Sequence, residues 1–215
     1  MTKRTIEYFY STHSAFAYLG AKRLAEISAA HDCHLIHRPF ELSPVVEAAG
    51  GLSFAGRTQA HVDYFFGREI ERWAEYRGVP VIAHRPTYHD NSLHLSSGML
   101  IAAEQSGLDV DALVFALLQG HWRDDIDLAN PEDLTRVAEV VGVDAAPLLM
   151  AAMTPNVQAV FQANTQEALA RGVFGSPTYF LDGDMFYGQD HLELLERAVV
   201  QPFATSGFKN PPVYG

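Results

Sequence analysis

Two short stretches, one near each end of the chain, hold the residues whose chemistry is most specific. The first contains Ser14, which follows a strand-like run and directly precedes a helix-like run. Unpaired backbone N–H groups and the helix dipole favour negative charge at such a helix start. A hydroxyl there can donate a hydrogen bond to the sulfur of a bound thiol and stabilise the thiolate, its nucleophilic form. The simpler alternative is that Ser14 only caps the helix.

The second stretch, residues 174–183, places Ser176 and Pro177 at the mouth of a short apolar strand. Proline cannot donate to a sheet ladder, so its position there indicates a specialised loop. After another short strand, Gln189 and Asp190 begin the last amphipathic helix. The free N–H groups of a helix start can bind an acceptor, although both residues could equally serve as caps.

Histidines are frequent, and His13 lies directly beside Ser14. His13 could titrate near neutral pH and act as an acid–base group or as the partner of a substrate carboxylate. The alternative is an ordinary histidine in a surface turn. His84, His89 and His94 share no recurring short spacing, and no cysteine ligands accompany them. His31, His34 and His37 are closely spaced, but His34 and His37 fall on opposite faces of a predicted strand. We therefore predict no metal site.

Composition excludes several classes of protein. The chain has 215 residues, 48% of them hydrophobic, which is enough for a substantial core. Its net charge of −11 would repel phosphate backbones, so we expect no nucleic-acid partner. The single cysteine, Cys33, cannot form an intrachain disulfide and is expected to be inert core, which fits a reducing, cytoplasmic location. The first residues hold no long apolar run, so we expect neither a signal peptide nor a membrane span.

The order of predicted elements indicates an α/β fold with an insertion. Residues 5–10 and 35–38 alternate like strands around a helix at 16–30, which makes a βαβ unit. About six helices follow, and the chain then returns to two strands, joined by a turn at Asp182-Gly183, and a final helix. The predicted helix caps in the long connection are Ser43 before Pro44, Asp109, Asn130, Asp144 and Thr154. Two halves of one sheet, split by helices, predict a thioredoxin-like fold (βαβ…ββα) with an inserted all-helical domain. The predicted boundaries are residues 1–42 with 173–215 for the thioredoxin-like domain and 43–172 for the helical domain.

Four blocks of sequence carry a resemblance to a known family. The chain resembles the glutathione-dependent branch of the thioredoxin-like superfamily that includes 2-hydroxychromene-2-carboxylate isomerases and kappa-class glutathione transferases, which are DsbA-like. The resemblance spans roughly residues 5 to 200. The matching blocks are Tyr8-Phe9-Tyr10 with Ser14-Ala15-Phe16-Ala17-Tyr18-Leu19-Gly20, Arg38-Pro39-Phe40 with Arg72-Trp73-Ala74-Glu75-Tyr76, Trp122 with Asp125-Ile126-Asp127, and Gly172 to Thr178 with Phe186 to His191.

The resemblance implies a function and a set of site residues. It implies that Ser14 stabilises the thiolate of glutathione, with His13 beside it as a second candidate catalytic residue. Ser176 and Pro177 would pair with the peptide part of glutathione as an added strand. The turn at Gln189 and Asp190 would hold its γ-glutamyl group. The implied substrate pocket contains Tyr88, Asn91 and Trp122.

On this basis the first hypothesis is a glutathione-dependent isomerase. A bound thiol would add to a conjugated double bond of an aromatic or unsaturated carboxylate, and elimination after rotation would give the isomer. The alternatives are a kappa-like glutathione transferase and a non-catalytic thioredoxin-fold binding module. The module is favoured by departures from the family pattern, notably Ala15 in place of proline and Gly50-Gly51-Leu52-Ser53 in place of Asn-x-Pro-Pro. The resemblance also implies a homodimer.

Overall fold

A four-stranded sheet lies at the centre of the protein. The computed structural model describes residues 3–213. The strand order is β2-β1-β3-β4, with β1 parallel to β2 and the other neighbours antiparallel. This is the predicted βαβ and ββα topology, joined in one sheet through β1 and β3. The strands are β1 (Thr5–Tyr10), β2 (His34–Pro39), β3 (Thr178–Leu181) and β4 (Asp184–Tyr187).

Helices surround the sheet and fill the long connection between β2 and β3. Within residues 40–177, all of which the structure describes, eight α-helices occur rather than about six. In residues 3–213 no helix is both long and apolar enough to cross a membrane. The helices are α1 (Ala15–Ala30), α2 (Leu42–Ala48), α3 (Gln59–Asp63), α4 (Glu69–Arg77), α5 (His94–Gln105), α6 (Asp111–Asp124), α7 (Pro131–Val140), α8 (Ala145–Ala152), α9 (Pro155–Ala170) and α10 (Leu192–Val200). A π-helical stretch, Tyr64–Arg68, joins α3 to α4, and a 3₁₀ turn, Gln189–His191, precedes α10.

The sheet buries apolar side chains on both faces because side chains alternate along each strand. Tyr8 and Tyr179 face the side that also buries α1, α6 and α10, and they belong to the larger apolar core. Phe9 and Phe180 face the opposite side, where they pack with Ala168 of α9 in a smaller core. The larger core contains residues from the sheet and from the helical connection alike, and the division into two domains stays a prediction.

Three of the five predicted helix caps are N-cap residues in the structure, and two are not. Asp109 lies one residue before Val110, which is the N-cap of α6. Asn130 and Asp144 cap α7 and α8 by accepting hydrogen bonds from backbone N–H groups, as expected. Ser43, predicted to cap a helix at Pro44, lies instead inside α2, which starts at Leu42. Proline is tolerated in the first turn of a helix, where its missing N–H has no intrahelical partner to lose. The Ser43-Pro44 pair therefore predicts the presence of the helix correctly but not its first residue.

The close packing of α5 against α8 depends on Gly98. A Cβ at this position would overlap the backbone carbonyl oxygen of Ala152, which cannot move without shifting α8. We expect Gly98→Ala to lower the free energy of unfolding by about 2–3 kcal/mol, the usual cost of overpacking. Gly67→Ala is the matched control, because open space surrounds Gly67 and alanine favours the helical backbone. Urea unfolding compares the two, and equal effects would contradict the tight packing.

Candidate active site

A cavity of about 310 Å³ opens where the start of α1 meets the loop before β3. Four of the predicted site residues lie in its wall: His13, Ser14, Trp122 and Ser176. The first two come from the turn between β1 and α1, Trp122 from α6, and Ser176 from the loop before β3. The fold therefore brings together residues that are up to 163 positions apart (176 − 13).

Ser14 is the N-cap of α1 and faces the loop before β3. Its Oγ accepts a hydrogen bond from the N–H of Ala17 and donates one to the carbonyl oxygen of Ser176, both at 3.2 Å. The side chain is nearly buried. The N–H groups of Ala15 and Phe16 have no hydrogen-bond partner in the described part of the chain, as expected for the first helical turn. The capping interpretation is thus correct, and the same geometry offers several donors to an anion.

Ser176 fixes the loop against the start of the sheet. The Ser176–Pro177 peptide bond is cis. The Oγ of Ser176 accepts a hydrogen bond from the N–H of Ser11 at 3.0 Å, and the carbonyl oxygen of Pro177 accepts one from Gly188 at 2.9 Å. Among residues 3–213, the N–H of Ser176 itself has no partner. The loop therefore presents a free backbone donor beside Ser14.

The His13 ring is half-buried and lies flat against the ring of His89, with 4.4 Å between centroids. Its backbone carbonyl accepts a hydrogen bond from Nε1 of Trp122 at 2.8 Å, which holds the turn before α1 in place. Burial and the nearby imidazole of His121 lower the pKa of His13 to about 4. His13 is therefore neutral at neutral pH, and the geometry gives no support to an ionic partnership between His13 and a substrate carboxylate.

Two arginines supply positive charge to the cavity. The guanidinium of Arg57 lies 5.2 Å from the ring centroid of Phe66, and its Nε is buried without a partner in the described chain. Arg85 lies 5.0 Å from the ring centroid of Phe54 and forms an ion pair with Asp90 at the surface. Cationic groups set among aromatic rings suit an aromatic carboxylate. Arg85 could not be identified as a site residue from the sequence, because its segment has no regular structure.

Gln189 and Asp190 lie outside the cavity wall. Gln189 is 1% exposed, and its side-chain oxygen accepts a hydrogen bond from Nε of Arg77 at 3.0 Å. Arg77, at the end of α4, also donates to the Gln189 carbonyl and to Glu193 of α10. Asp190 is exposed and lies 3.4 Å from Nδ1 of His191. In the structure, the hydrogen bonds of Arg77 therefore connect α4 to this turn and to α10.

Tyr88 and Asn91 also lie outside the cavity wall, and both are exposed. The Asn91 side chain donates to Asp127 at 2.9 Å, and its backbone N–H donates to the carbonyl of Tyr88 at 3.0 Å. Pro177, the remaining predicted site residue, is buried in the loop behind Ser176. These residues shape or adjoin the loops around the cavity and do not line it.

No metal centre is formed by the part of the chain that the structure describes. Residues 3–213 contain no group of three or more histidine, cysteine, aspartate or glutamate side chains arranged to hold an ion. Cys33 is buried, and burial raises the pKa of its thiol, which lowers its reactivity. The polar groups in the described cavity wall include hydroxyl, imidazole, guanidinium and backbone groups.

Comparisons with known proteins agree with this geometry. The family model of the DSBA-like thioredoxin domain matches residues 5–200. A 2-hydroxychromene-2-carboxylate isomerase of Sphingobium xenophagum is 30% identical over 197 residues, covering 91% of this chain and 97% of the relative. A solved structure of 2-hydroxychromene-2-carboxylate isomerase superposes with a TM-score of 0.74 at 24% identity, over 92% and 95% of the two chains.

A further structural neighbour is the cytosolic disulfide reductase DsbM of Pseudomonas aeruginosa, solved with GSH. It has a TM-score of 0.63 at 16% identity and covers 92% of this chain and 93% of its own. At that identity the likeness shows the fold alone. The family-model match over residues 5–200 and the isomerase at 30% identity show the family in addition to the fold. Both agree with the motifs in the sequence. The chain belongs to the family of DSBA-like thioredoxin domains, within which its relatives include the 2-hydroxychromene-2-carboxylate isomerases.

Proposed function

We propose that this protein is a glutathione-dependent isomerase of aromatic or unsaturated carboxylates, of the 2-hydroxychromene-2-carboxylate isomerase type. The observation that carries the proposal is the position of Ser14 Oγ, at the start of α1 and in the wall of the cavity. The curated relatives with this activity support the same assignment. The neighbour solved with GSH supports the choice of thiol.

The residues around Ser14 fit the thiol end of glutathione. Three donors converge there: the hydroxyl of Ser14 and the free N–H groups of Ala15 and Phe16. Together with the helix dipole they favour an anion over its neutral form, which lowers the pKa of a thiol. The free N–H of Ser176 would pair with a peptide carbonyl in the manner of an added strand.

When bound, glutathione would supply a thiolate that adds reversibly to a conjugated double bond. In that reaction Ser14 would donate a hydrogen bond from its hydroxyl to the sulfur, and the cavity wall would orient the substrate. Phe65 and Phe66 form an apolar wall that accommodates an aromatic ring and excludes water. Arg57 lines the cavity, and its terminal nitrogens contact Nε2 of His61 and the carbonyl oxygen of Leu52. It would bind the substrate carboxylate by exchanging one of these contacts.

Isomerase and transferase would share these groups, and only the product separates them. In an isomerase the thiol leaves again, so one equivalent of glutathione turns over many substrates. In a transferase each turnover consumes one thiol. The relatives favour the isomerase. Incubation with 2-hydroxychromene-2-carboxylate and a trace of glutathione decides between them, because only an isomerase reaches equilibrium without consuming the thiol.

Arg57→Met is expected to raise KM for the carboxylate substrate by about 10- to 100-fold, the worth of one charge-assisted hydrogen bond. Arg68→Met is the matched control, because Arg68 is exposed, pairs with Glu71 on the surface and does not line the cavity. Steady-state kinetics on both variants, with calorimetric titration of glutathione, tests the assignment. No glutathione binding at millimolar concentration, or equal KM values for the two variants, would overturn it.

A further inference from the structure

Three histidine side chains form a row that leads inward from the cavity. His13 and His89 lie in the cavity wall, and His121 of α6 lies fully buried behind them. The rings of His13 and His89 are 4.4 Å apart between centroids with 12° between planes, and those of His89 and His121 are 5.2 Å apart with 20° between planes. This row is called the histidine stack below. The thiol chemistry proposed above does not use it.

A backbone carbonyl fixes which nitrogens of the stack carry protons. Nδ1 of His121 lies 3.1 Å from the carbonyl oxygen of Ile126, which can only accept, so Nδ1 of His121 is the donor. In a neutral ring its Nε2 is then a bare acceptor. Nδ1 of His89 lies 3.0 Å from that Nε2 and must therefore be the donor. Nε2 of His89 is left with a lone pair and no proton.

The environment keeps these rings neutral. Burial and the other two histidines lower the pKa of His89 to about 2, with a further contribution from Arg85 and an opposing one from Asp90. Burial likewise lowers the pKa of His121, while Asp125 and Asp127 oppose the shift. A neutral ring of such low pKa is a poor general base. Nε2 of the neutral His89 ring remains a hydrogen-bond acceptor, and the contact between His89 and His121 fixes its orientation.

Two nitrogens of the stack lack a protein partner. Nε2 of His89 has no hydrogen-bond partner among the described residues and is not among the enclosed atoms, so it remains accessible. Nδ1 of His13 is enclosed and also has no partner in the described chain. Unpaired polar atoms are costly unless a ligand or water satisfies them. The accessible Nε2 of His89, a residue of the cavity wall, therefore points to a ligand that brings a hydrogen-bond donor.

We infer that His89, held in its Nδ1–H form by His121, is the residue that accepts a hydrogen bond from the hydroxyl group of the substrate and so discriminates against substrates that lack it. The inference rests on the proposed function and deepens it, since it names a specificity-determining residue of the same cavity. Arg57 would bind the carboxylate, and His89 would bind the hydroxyl. His121 is then a positioning residue, because it acts only through the proton on His89.

The first test uses trans-2-hydroxycinnamate and trans-cinnamate, which differ in one hydroxyl, as probes of the 215-residue chain. We expect calorimetry to show at least 10-fold tighter binding of the hydroxylated probe, because a site built for a hydroxyl rejects ligands that lack it. His89→Phe keeps the ring packing and should bring the ratio to about one. A ratio near one in the wild type, no binding of the hydroxylated probe, or an unchanged ratio in His89→Phe would each overturn the inference.

The second test reads the proton position directly. Ring ¹⁵N NMR of the wild type should show His89 protonated at Nδ1, and His121→Phe, which removes the acceptor, should shift the proton to Nε2 and lower the probe ratio. His121→Gln, whose amide can both accept from His89 and donate to Ile126, should restore the Nδ1–H form. An Nε2–H form in the wild type would overturn the inference. Neither test uses glutathione, so failure of the proposed thiol chemistry is seen separately, by calorimetry with glutathione.

Discussion

Replacing Ser14 by alanine is expected to lower the rate of glutathione-dependent isomerisation by about 100- to 1000-fold, the usual loss when one preorganised donor to a reacting anion is removed. The hydroxyl of Ser14 donates at 3.2 Å to the Ser176 carbonyl, a bond long enough to be exchanged readily for one to sulfur. The variant keeps the free N–H groups of Ala15 and Phe16 but loses the donor that can turn toward the thiolate. Rate and thiol pKa should therefore change together.

The measurement is a pH titration of the thiolate absorbance of protein-bound glutathione. In the wild type the pKa of the bound thiol should lie below that of free glutathione, and in Ser14→Ala it should return toward the free value. An unchanged thiol pKa in the variant would remove Ser14 from the chemistry and leave it as a helix cap. The binding affinity for glutathione should change much less than the rate, because most of the tripeptide would contact groups other than Ser14.

The control for this experiment is another helix cap, which does not line the cavity. Asp144 caps α8 by accepting from the N–H of Ala146 at 3.1 Å, as Ser14 caps α1. Both Ser14→Ala and Asp144→Ala are expected to lower the free energy of unfolding by about 1 kcal/mol, the usual worth of a cap. Only Ser14→Ala should lose activity. If Asp144→Ala lost it equally, the effect of Ser14 would be one of stability alone.

The fold was predictable because its signals are local. The alternation along residues 5–10, the Ser176–Pro177 step before β3 and the Asp182-Gly183 turn each restrict the backbone within a few residues. The meeting of Ser14 with Ser176 follows once these elements join one sheet. Placing the start of α2 failed because Ser43 and Pro44 both suit the first helical turn, so the pair leaves the first residue undetermined.

The rest of the cavity was not predictable, because it depends on contacts between distant segments. His89 and Arg85 lie in an irregular stretch, where no periodicity indicates which way a side chain points. Gln189 looked available to a ligand because it opens the last helix, yet Arg77 from α4 occupies its side-chain oxygen. Such long-range pairing of polar groups is decided by the assembled fold. The sequence shows only that the groups exist.

Lowering the pH from 7.5 to 5 is expected to reduce the free energy of unfolding through the histidine stack. Burial and mutual repulsion lower the pKa of His13 to about 4 and that of His89 to about 2 in the folded chain. An unfolded histidine has a pKa of about 6.5. Below pH 6.5 the unfolded chain therefore binds more protons than the folded chain, so stability falls as the pH falls.

The size of the effect follows from the same values. Because pH 5 lies about 1.5 pH units below the unfolded pKa, each of the two histidines should cost about 2 kcal/mol of stability there. Stability continues to fall until the pH reaches the pKa of each histidine in the folded chain, which is about 4 for His13 and about 2 for His89. The Asp90 carboxyl, whose pKa the hydrogen-bonded Arg85 lowers, loses its stabilising contribution only below about pH 4. The window from pH 5 to 7.5 therefore reports on the histidines.

Urea unfolding of the wild type and two variants at pH 7.5 and pH 5 measures this contribution. His89→Phe should reduce the acid-dependent loss by about 2 kcal/mol, because phenylalanine takes up no proton. His34→Gln, which replaces an exposed histidine at the start of β2 and outside the histidine stack, is the matched control and should keep the wild-type loss. An unchanged loss in His89→Phe would mean that His89 accepts a proton in the folded chain. In that case it could not serve as the fixed acceptor for a substrate hydroxyl, so this stability measurement also tests the selectivity inferred for the cavity.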